Sequence, residues 1–444
     1  MHRPVALRQR HQFAALLTTI IATARRSPSW QEPDRRTLRL WQHLLLALLV
    51  QRSTRLLTLA KVLLPLRRGT SIKTVAQGIG CFLRSPHCPV DTLSPTLLSA
   101  MLAQLDPTRL LRAHGRVLLV IDGTEYAKRS RGRGKCGRHM QHLGRVRNAK
   151  GKRSGTSAGY VDIWAGLILK GKRFVPLARQ LFSSTHPDVA SQNQVEEAVL
   201  ETALAAASQL PWPALVVADR GYGRKALLIR LAKQQQAFVI RLDPDILVHA
   251  QGKSKEALLA GVLAEQAWLG SVVWDRGSEG TVVGRARMVR AQLCFRRSGE
   301  AKDSQVAMMN FVEVEPCRGE LEPLVVATNL PVRTAAEAQK VVSIYAQRWA
   351  VESGFETMKG WGLEKFMVRH WEAIDRLVWL VGVAYALATV ALYSAKLERL
   401  RAEAVAVLRV WGVVGRRLTA GKLAEALAVD VQQHRRAVLN AWRL

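Results

Sequence analysis

Acidic residues are scarce in this chain. Its 444 residues hold 34 Asp and Glu against 66 Lys and Arg, a net charge of +32. That imbalance predicts a polyanionic partner; nucleic acid is the commonest, and an anionic membrane surface is the rival. The charge runs the whole length rather than sitting in a tail, which favours a long DNA track. Cysteine is scarce too. Five thiols, at 81, 88, 136, 294 and 317, are odd in number and irregularly spaced. They exclude a disulfide framework and suit a reducing cytoplasm. The chain also lacks internal repeats and long low-complexity tracts, leaving no basis for a repeat architecture.

Long apolar runs are few, and two imitate membrane signals. Residues 1–24 combine basic residues with "FAALLTTIIATA", in the manner of a secretory leader. Nothing downstream looks secreted, so an amphipathic first helix is expected instead. "LVWLVGVAYALATVALYSA", residues 377–395, passes a length test for spanning a bilayer. It is rich in Ala and follows directly on a charged helix, so a central helix of a packed α/β core is expected. The reading is of a soluble, cytoplasmic chain with no membrane partner.

At this length several domains are expected. The first 112 or so residues read as basic helices, with apolar residues at helical spacing in "RTLRLWQHLLLALLVQRSTRLLTLAKVLL". The texture then changes. "RVLLVID" reads as a buried strand ending at Asp122. Residues 126–161 carry eleven Lys or Arg and no acid, as suits a flexible loop that orders on phosphates. Within it Cys136, His139 and His142 invite a zinc reading, but a fourth ligand is not evident. "GYVDIWAGLIL" and "KRFVPLARQLF" read as a hairpin, "NQVEEAVLETALAAASQL" as a helix, and "PALVVAD" as a second buried strand, ending at Asp219. Strands alternating with helices indicate an α/β core. From 243 to 330, "SVVWD", "GTVVGRARMV", "AQLCFRR", "VAMMNFVEVE" and "PLVVATNL" read as short strands of a β-rich insertion, after which helices resume.

Three acids stand out. Asp122 and Asp219 end apolar strands, where α/β sheets expose functional groups. Glu352 lies in "YAQRWAVESGFETMK", whose Tyr345, Arg348, Glu352 and Lys359 share one stripe of a single helix. Carboxylates grouped with cations are what magnesium-dependent phosphoryl transfer needs. Glu125 and Glu356 are rivals for the same role.

The Tyr-x2-Arg-x3-Glu-x6-Lys spacing resembles the signature of DDE transposases of the insertion sequence four group. Chance would give that spacing in on the order of one chain in several hundred. "VIDGTEY" is similar to the family's first-Asp strand and "VVADRGYGRKAL" to its second-Asp block. The resemblance spans roughly residues 40–396. It implies a ribonuclease H-like catalytic core with Asp122, Asp219 and Glu352 as catalytic residues and ligands for two Mg²⁺ ions, Mn²⁺ substituting. Tyr345, Arg348, Lys359 and Arg220 would contact DNA. Some members flip a base onto a Trp of the insertion, and Trp274 or Trp268 falls in that region. The expected division is a helical DNA-binding domain over 1–112, the core's first part over 113–242, the insertion over 243–330, the core's second part over 331–396, and C-terminal helices over 397–444 that could dimerise. The partners implied are double-stranded DNA, as terminal inverted repeats and target, and a second copy in a synaptic complex; the setting is a bacterial nucleoid. Competing readings are a related nuclease without strand transfer and a repurposed, inactive DNA-binding protein. One departure concerns "QGIGCFLRS", which stands where relatives carry a basic helix.

Overall fold

A computed structural model describes residues 19–64, 69–128, 139–147, 156–188, 191–250, 255–275, 280–295, 305–317, 321–393 and 422–423. Residues 19–24 are helical, and the helices α1 (Arg35–Gln51), α2 (Leu56–Leu63), α3 (Ile72–Arg84) and α4 (Val90–Leu102) lead into the sheet. Their starts are written in the sequence. Asp34 accepts from the backbone N–H groups of Arg36 and Thr37 at 2.9 and 3.1 Å, and Ser71 accepts from that of Thr74 at 3.1 Å. Each cap satisfies donors that a helix start leaves unmatched.

β1 (Arg112–Ala113) and β2 (Arg116–Ala127) open the sheet. Residues 117–121 of β2 are all buried, as their unbroken Val, Leu and Ile run requires of a strand covered on both faces. β3 (Gly144–Arg147) and β5 (Arg173–Phe182) both pair antiparallel with β4 (Thr156–Leu169), which pairs antiparallel with β2. β6 (Ala214–Ala218) and β7 (Ala237–Arg241) run parallel to β2, reached through α5 (Gln192–Ala207) and α6 (Lys225–Lys233). The order β5–β4–β2–β6–β7 is a mixed α/β arrangement consistent with a ribonuclease H-like core. The basic stretch 126–161 is partly strand rather than loop, since Tyr126 pairs with Tyr160. Cys136 lies outside the described residues, and the His142 ring packs 4.5 Å from that of His186.

The next region contains β8 (Leu247–Ala250), β9 (Ala257–Leu258), α7 (Leu259–Ala264), β10 (Trp268–Asp275), β11 (Thr281–Phe295), β12 (Gln305–Pro316) and β13 (Leu324–Thr328). Two expectations change here. "GTVVGRARMV" and "AQLCFRR" form one strand, because β12 pairs with β11 without a shift from Gly284 to Phe295. The insertion is also not separate from the core sheet. β13 pairs antiparallel with β7, Val326 opposite Arg241, so the thirteen strands of the described residues form one sheet.

α8 (Ala335–Ala346) opens on a reciprocal cap between Thr334 and Glu337, and α9 (Trp349–Gly360) and α10 (Trp371–Tyr393) follow. The single helix expected over 345–359 is two. Between α8 and α9 the backbone N–H groups of Gln347, Arg348, Ala350 and Val351 each donate three residues back, at 2.9–3.1 Å. This tighter winding brings i and i+3 side chains into line.

α10 has the length and hydropathy to cross a bilayer, but 94% of that window is buried inside the fold. It is a central helix. Its Gly382 lies against the Trp164 ring, where any Cβ would overlap the indole. Arg376 ties α10 to the first helices, donating to Asp91 Oδ2 and to the Leu83 and Ser85 carbonyls, each at 2.8 Å. The N-terminal helices are therefore bound into the core. Beneath α10, buried Arg179 bridges Asp162 and Asp375, with N–O distances of 2.7 and 2.6 Å. Tyr126 and Trp164 also donate to Asp162, at 2.6 and 2.5 Å. Apart from Lys422 and Leu423, the expected 397–444 helices lie outside the described residues.

Candidate active site

Strand register brings the first two acids together. Ile121 pairs with Ala218 across parallel β2 and β6. The next residue along each is an acid, so Asp122 and Asp219 stand side by side, about 4.8 Å apart across the sheet. Asp219 follows the end of β6, whereas the strand expected to end at Asp122 runs on to Ala127, still paired with β4. β7 extends the row: Ala218 pairs with Ile240, and Arg241 comes next.

The third acid arrives on α9. Gly354 lets that helix close onto the sheet, since a Cβ there would stand 3.0 Å from Phe174 Cδ1 and 3.3 Å from the Tyr385 hydroxyl. One residue gathers all three carboxylates. Arg348 Nη1 donates to Asp122 Oδ2 at 2.7 Å, while Nη2 lies 2.9 Å from Glu352 Oε1 and 4.0 Å from Asp219 Oδ2. Its side chain is only 8% exposed. Tyr345, aligned with Arg348 by the tight winding, donates its hydroxyl to Asp219 Oδ1 at 2.8 Å. Arg241 Nη1 approaches the same oxygen to 3.9 Å.

The acids feel this unequally. Burial pushes Asp122 up to about 6, against the opposing pull of Arg348. Burial raises Glu352 as well. Burial also works to raise Asp219, but Arg348, the Arg220 backbone N–H, the Tyr345 hydroxyl and Arg241 outweigh it and hold it below the usual carboxylate value. Tyr345 is raised to about 12 by its burial and by Asp219. Three carboxylates thus face one buried guanidinium, an excess of negative charge on hard oxygen donors. A divalent, oxygen-seeking cation such as Mg²⁺ fits that donor set.

The rivals fall away on geometry. Strand alternation puts Glu125 on the opposite face of β2 from Asp122, and Glu356 is exposed. The other expected DNA contacts lie outside the cluster. Arg220 pairs with Glu322 at 3.0 Å and is 40% exposed. Lys359, about 10.5 Å along α9 from Glu352, lies 3.2 Å from Glu364 Oε1. Trp274 requires a correction: it is 5% exposed, its ring laid over Gly284, so it offers no free face to a base. The Trp268 ring is more accessible, but the guanidinium carbons of Arg285 and Arg287 lie 4.5 and 4.6 Å from its centre.

Arg241 and Asp162 were missed in the sequence. In "AFVIR" a charged residue closes an apolar run just as Asp122 and Asp219 do, and that signal could have marked Arg241. Nothing local distinguished Asp162 from a solvated strand residue.

Comparison with known families bears on the whole arrangement. Residues 32–257, just over half of the chain, match the family described as DDE superfamily endonuclease. Residues 177–387 match the one described as Transposase DDE domain. Asp122 falls in the first match, Glu352 in the second, and Asp219 in both. No curated protein matches the chain.

Proposed function

Because the chain belongs to the DDE superfamily of endonucleases, we propose that it is a transposase, which cuts DNA at the ends of its own mobile element and joins the freed ends to target DNA. The observation that carries this reading is the meeting of Asp122, Asp219 and Glu352 around Arg348. We place it in the insertion sequence four group on the Tyr345, Arg348, Glu352 and Lys359 spacing. Two Mg²⁺ ions, or Mn²⁺, held by the three acids would supply nucleophile activation and charge neutralisation at the scissile phosphate.

The chain's own residues do the positioning. Tyr345 and Arg348 already donate to the acids, so the same hydroxyl and guanidinium are set to donate to a phosphate oxygen lying against them. Arg220 and Arg241 extend the positive rim beside Asp219, and Lys359 holds the backbone further along the DNA. Much of phosphoryl transfer is such alignment plus electrostatics. The net charge of +32 suits a long DNA track. Two copies would pair two element ends, in a nucleoid setting.

The test is a supercoiled plasmid carrying the element's flanking ends, incubated with Mg²⁺ or with EDTA beside an Asp219→Asn control. Metal-dependent breaks at the ends, absent in the control, are expected. Tight binding with no cut would leave a repurposed DNA-binding protein as the better reading.

A further inference from the structure

At the far end of the sheet, three side chains able to ligate a metal gather, His249 and Cys294 on β8 and β11 and Glu256 just before β9. β8 lies between β11 and β9, with His249 opposite Gln292 on one side and Val248 opposite Ala257 on the other. Continuing the second ladder by one residue sets Glu256 beside His249. Cys294, two residues along β11 from Gln292, projects from the same face. His249 Nε2 is 3.7 Å from Glu256 Oε1. One donor atom from each of His249, Glu256 and Cys294 lies within 4.8 Å of the others, with the imidazole and the thiol partly buried.

We propose that these three residues form a Zn²⁺ site, with a water completing four-coordination. Imidazole and thiolate favour Zn²⁺ over the hard cation suited to the acid cluster. Tetrahedral zinc, with bonds of about 2.0–2.3 Å, sets its ligand atoms roughly 3.3–3.7 Å apart. The His–Glu separation already meets that, and side-chain rotation of about 1 Å draws in the sulfur. Lys225 Nζ, 3.9 Å from the same Glu256 oxygen, is the cation that the metal displaces. The site has a structural purpose. β9 is two residues long and ends the sheet; so short an edge strand has little pairing of its own. A metal joining β9, β8 and β11 would pin that edge.

The test uses the full chain with Co²⁺ as probe and excess Mg²⁺ to fill oxygen-only sites. Co²⁺ bound at His249, Glu256 and Cys294 gives a thiolate-to-cobalt absorption band, which added Zn²⁺ erases. The band is expected to be lost in Cys294→Ser and, independently, in His249→Asn, with circular dichroism unchanged in at least one of them. No band in the wild-type chain overturns the proposal, as does a band that survives Cys294→Ser. An all-oxygen triad gives no such band, so this result and the cleavage test can fail separately.

Discussion

Replacing Arg348 with methionine keeps the apolar stem and removes the only cation, among the described residues, within 3 Å of Asp122 and Glu352. The Arg348–Asp122 pair is nearly buried, with side chains 8% and 16% exposed. Breaking a buried pair by deleting one partner costs about 3–5 kcal/mol. The Asp219 and Glu352 side chains are 34% and 37% exposed, so water screens their share and each adds less than about 1 kcal/mol. A metal-free loss of about 3 kcal/mol is expected, the lower end because Asp122 can relieve the repulsion by taking up a proton. A divalent ion should return much of it: binding at a hundredfold excess over Kd is worth about 2.7 kcal/mol. The assay is urea unfolding of both proteins at neutral pH, in MgCl₂ and in NaCl of matched ionic strength. A metal-free loss below about 1 kcal/mol, or a gap that Mg²⁺ leaves unchanged, would refute the view that Arg348 stands in for a metal among these carboxylates.

Three further outcomes are expected. Glu352→Gln should abolish plasmid cleavage and leave DNA binding nearly intact; vigorous cutting by the variant would move the third acid elsewhere. Because folded Asp122 titrates at about 6 instead of 3.8, its protonated form is the one favoured by folding, so its contribution to metal-free stability is present below 3.8 and lost as pH rises through about 6. Divalent-metal affinity should run the opposite way, weakening as pH falls through about 6; a Mn²⁺ titration that is flat from neutral pH down to 5 would remove Asp122 from the ligand set. Gly382→Ala should destabilise the fold by about 1–3 kcal/mol, since its new methyl meets the Trp164 ring. An unshifted urea midpoint would show that α10 can move off the sheet freely.

The parts legible in the sequence were those that local chemistry specifies. Asp122 and Asp219 stood out because each ends a run of apolar residues that can only be a covered strand. Their closeness is a matter of register between strands almost a hundred residues apart, which no local pattern encodes. For the same reason Arg241 passed unnoticed, although it ends the next strand in the row. The stripe from Tyr345 to Lys359 kept its helical arithmetic, but not the change of winding at Gln347 and Arg348, where no Gly or Pro announces it. Trp274 shows the opposite failure. Its position in the chain matched an expectation, but whether an indole packs or protrudes depends on its cross-strand neighbours, here the bare backbone of Gly284, diagonal to it on β11. Arg179 and Asp162 read as unremarkable strand charges, and only the fold reveals that both are sealed beneath α10.

The single sheet has a mechanical meaning. Strands joined edge to edge by hydrogen bonds behave as a plate, stiff along the ladder and compliant mainly in twist. From the long β11–β12 ribbon, an unbroken ladder runs through β13 and β7 to β6, beside whose end Asp219 stands. If the proposed function holds, a load placed on the ribbon by DNA would reach the acids as torsion across three strand junctions, β12–β13, β13–β7 and β7–β6. In that reading the ribbon would be a lever arm whose fulcrum is the acid cluster.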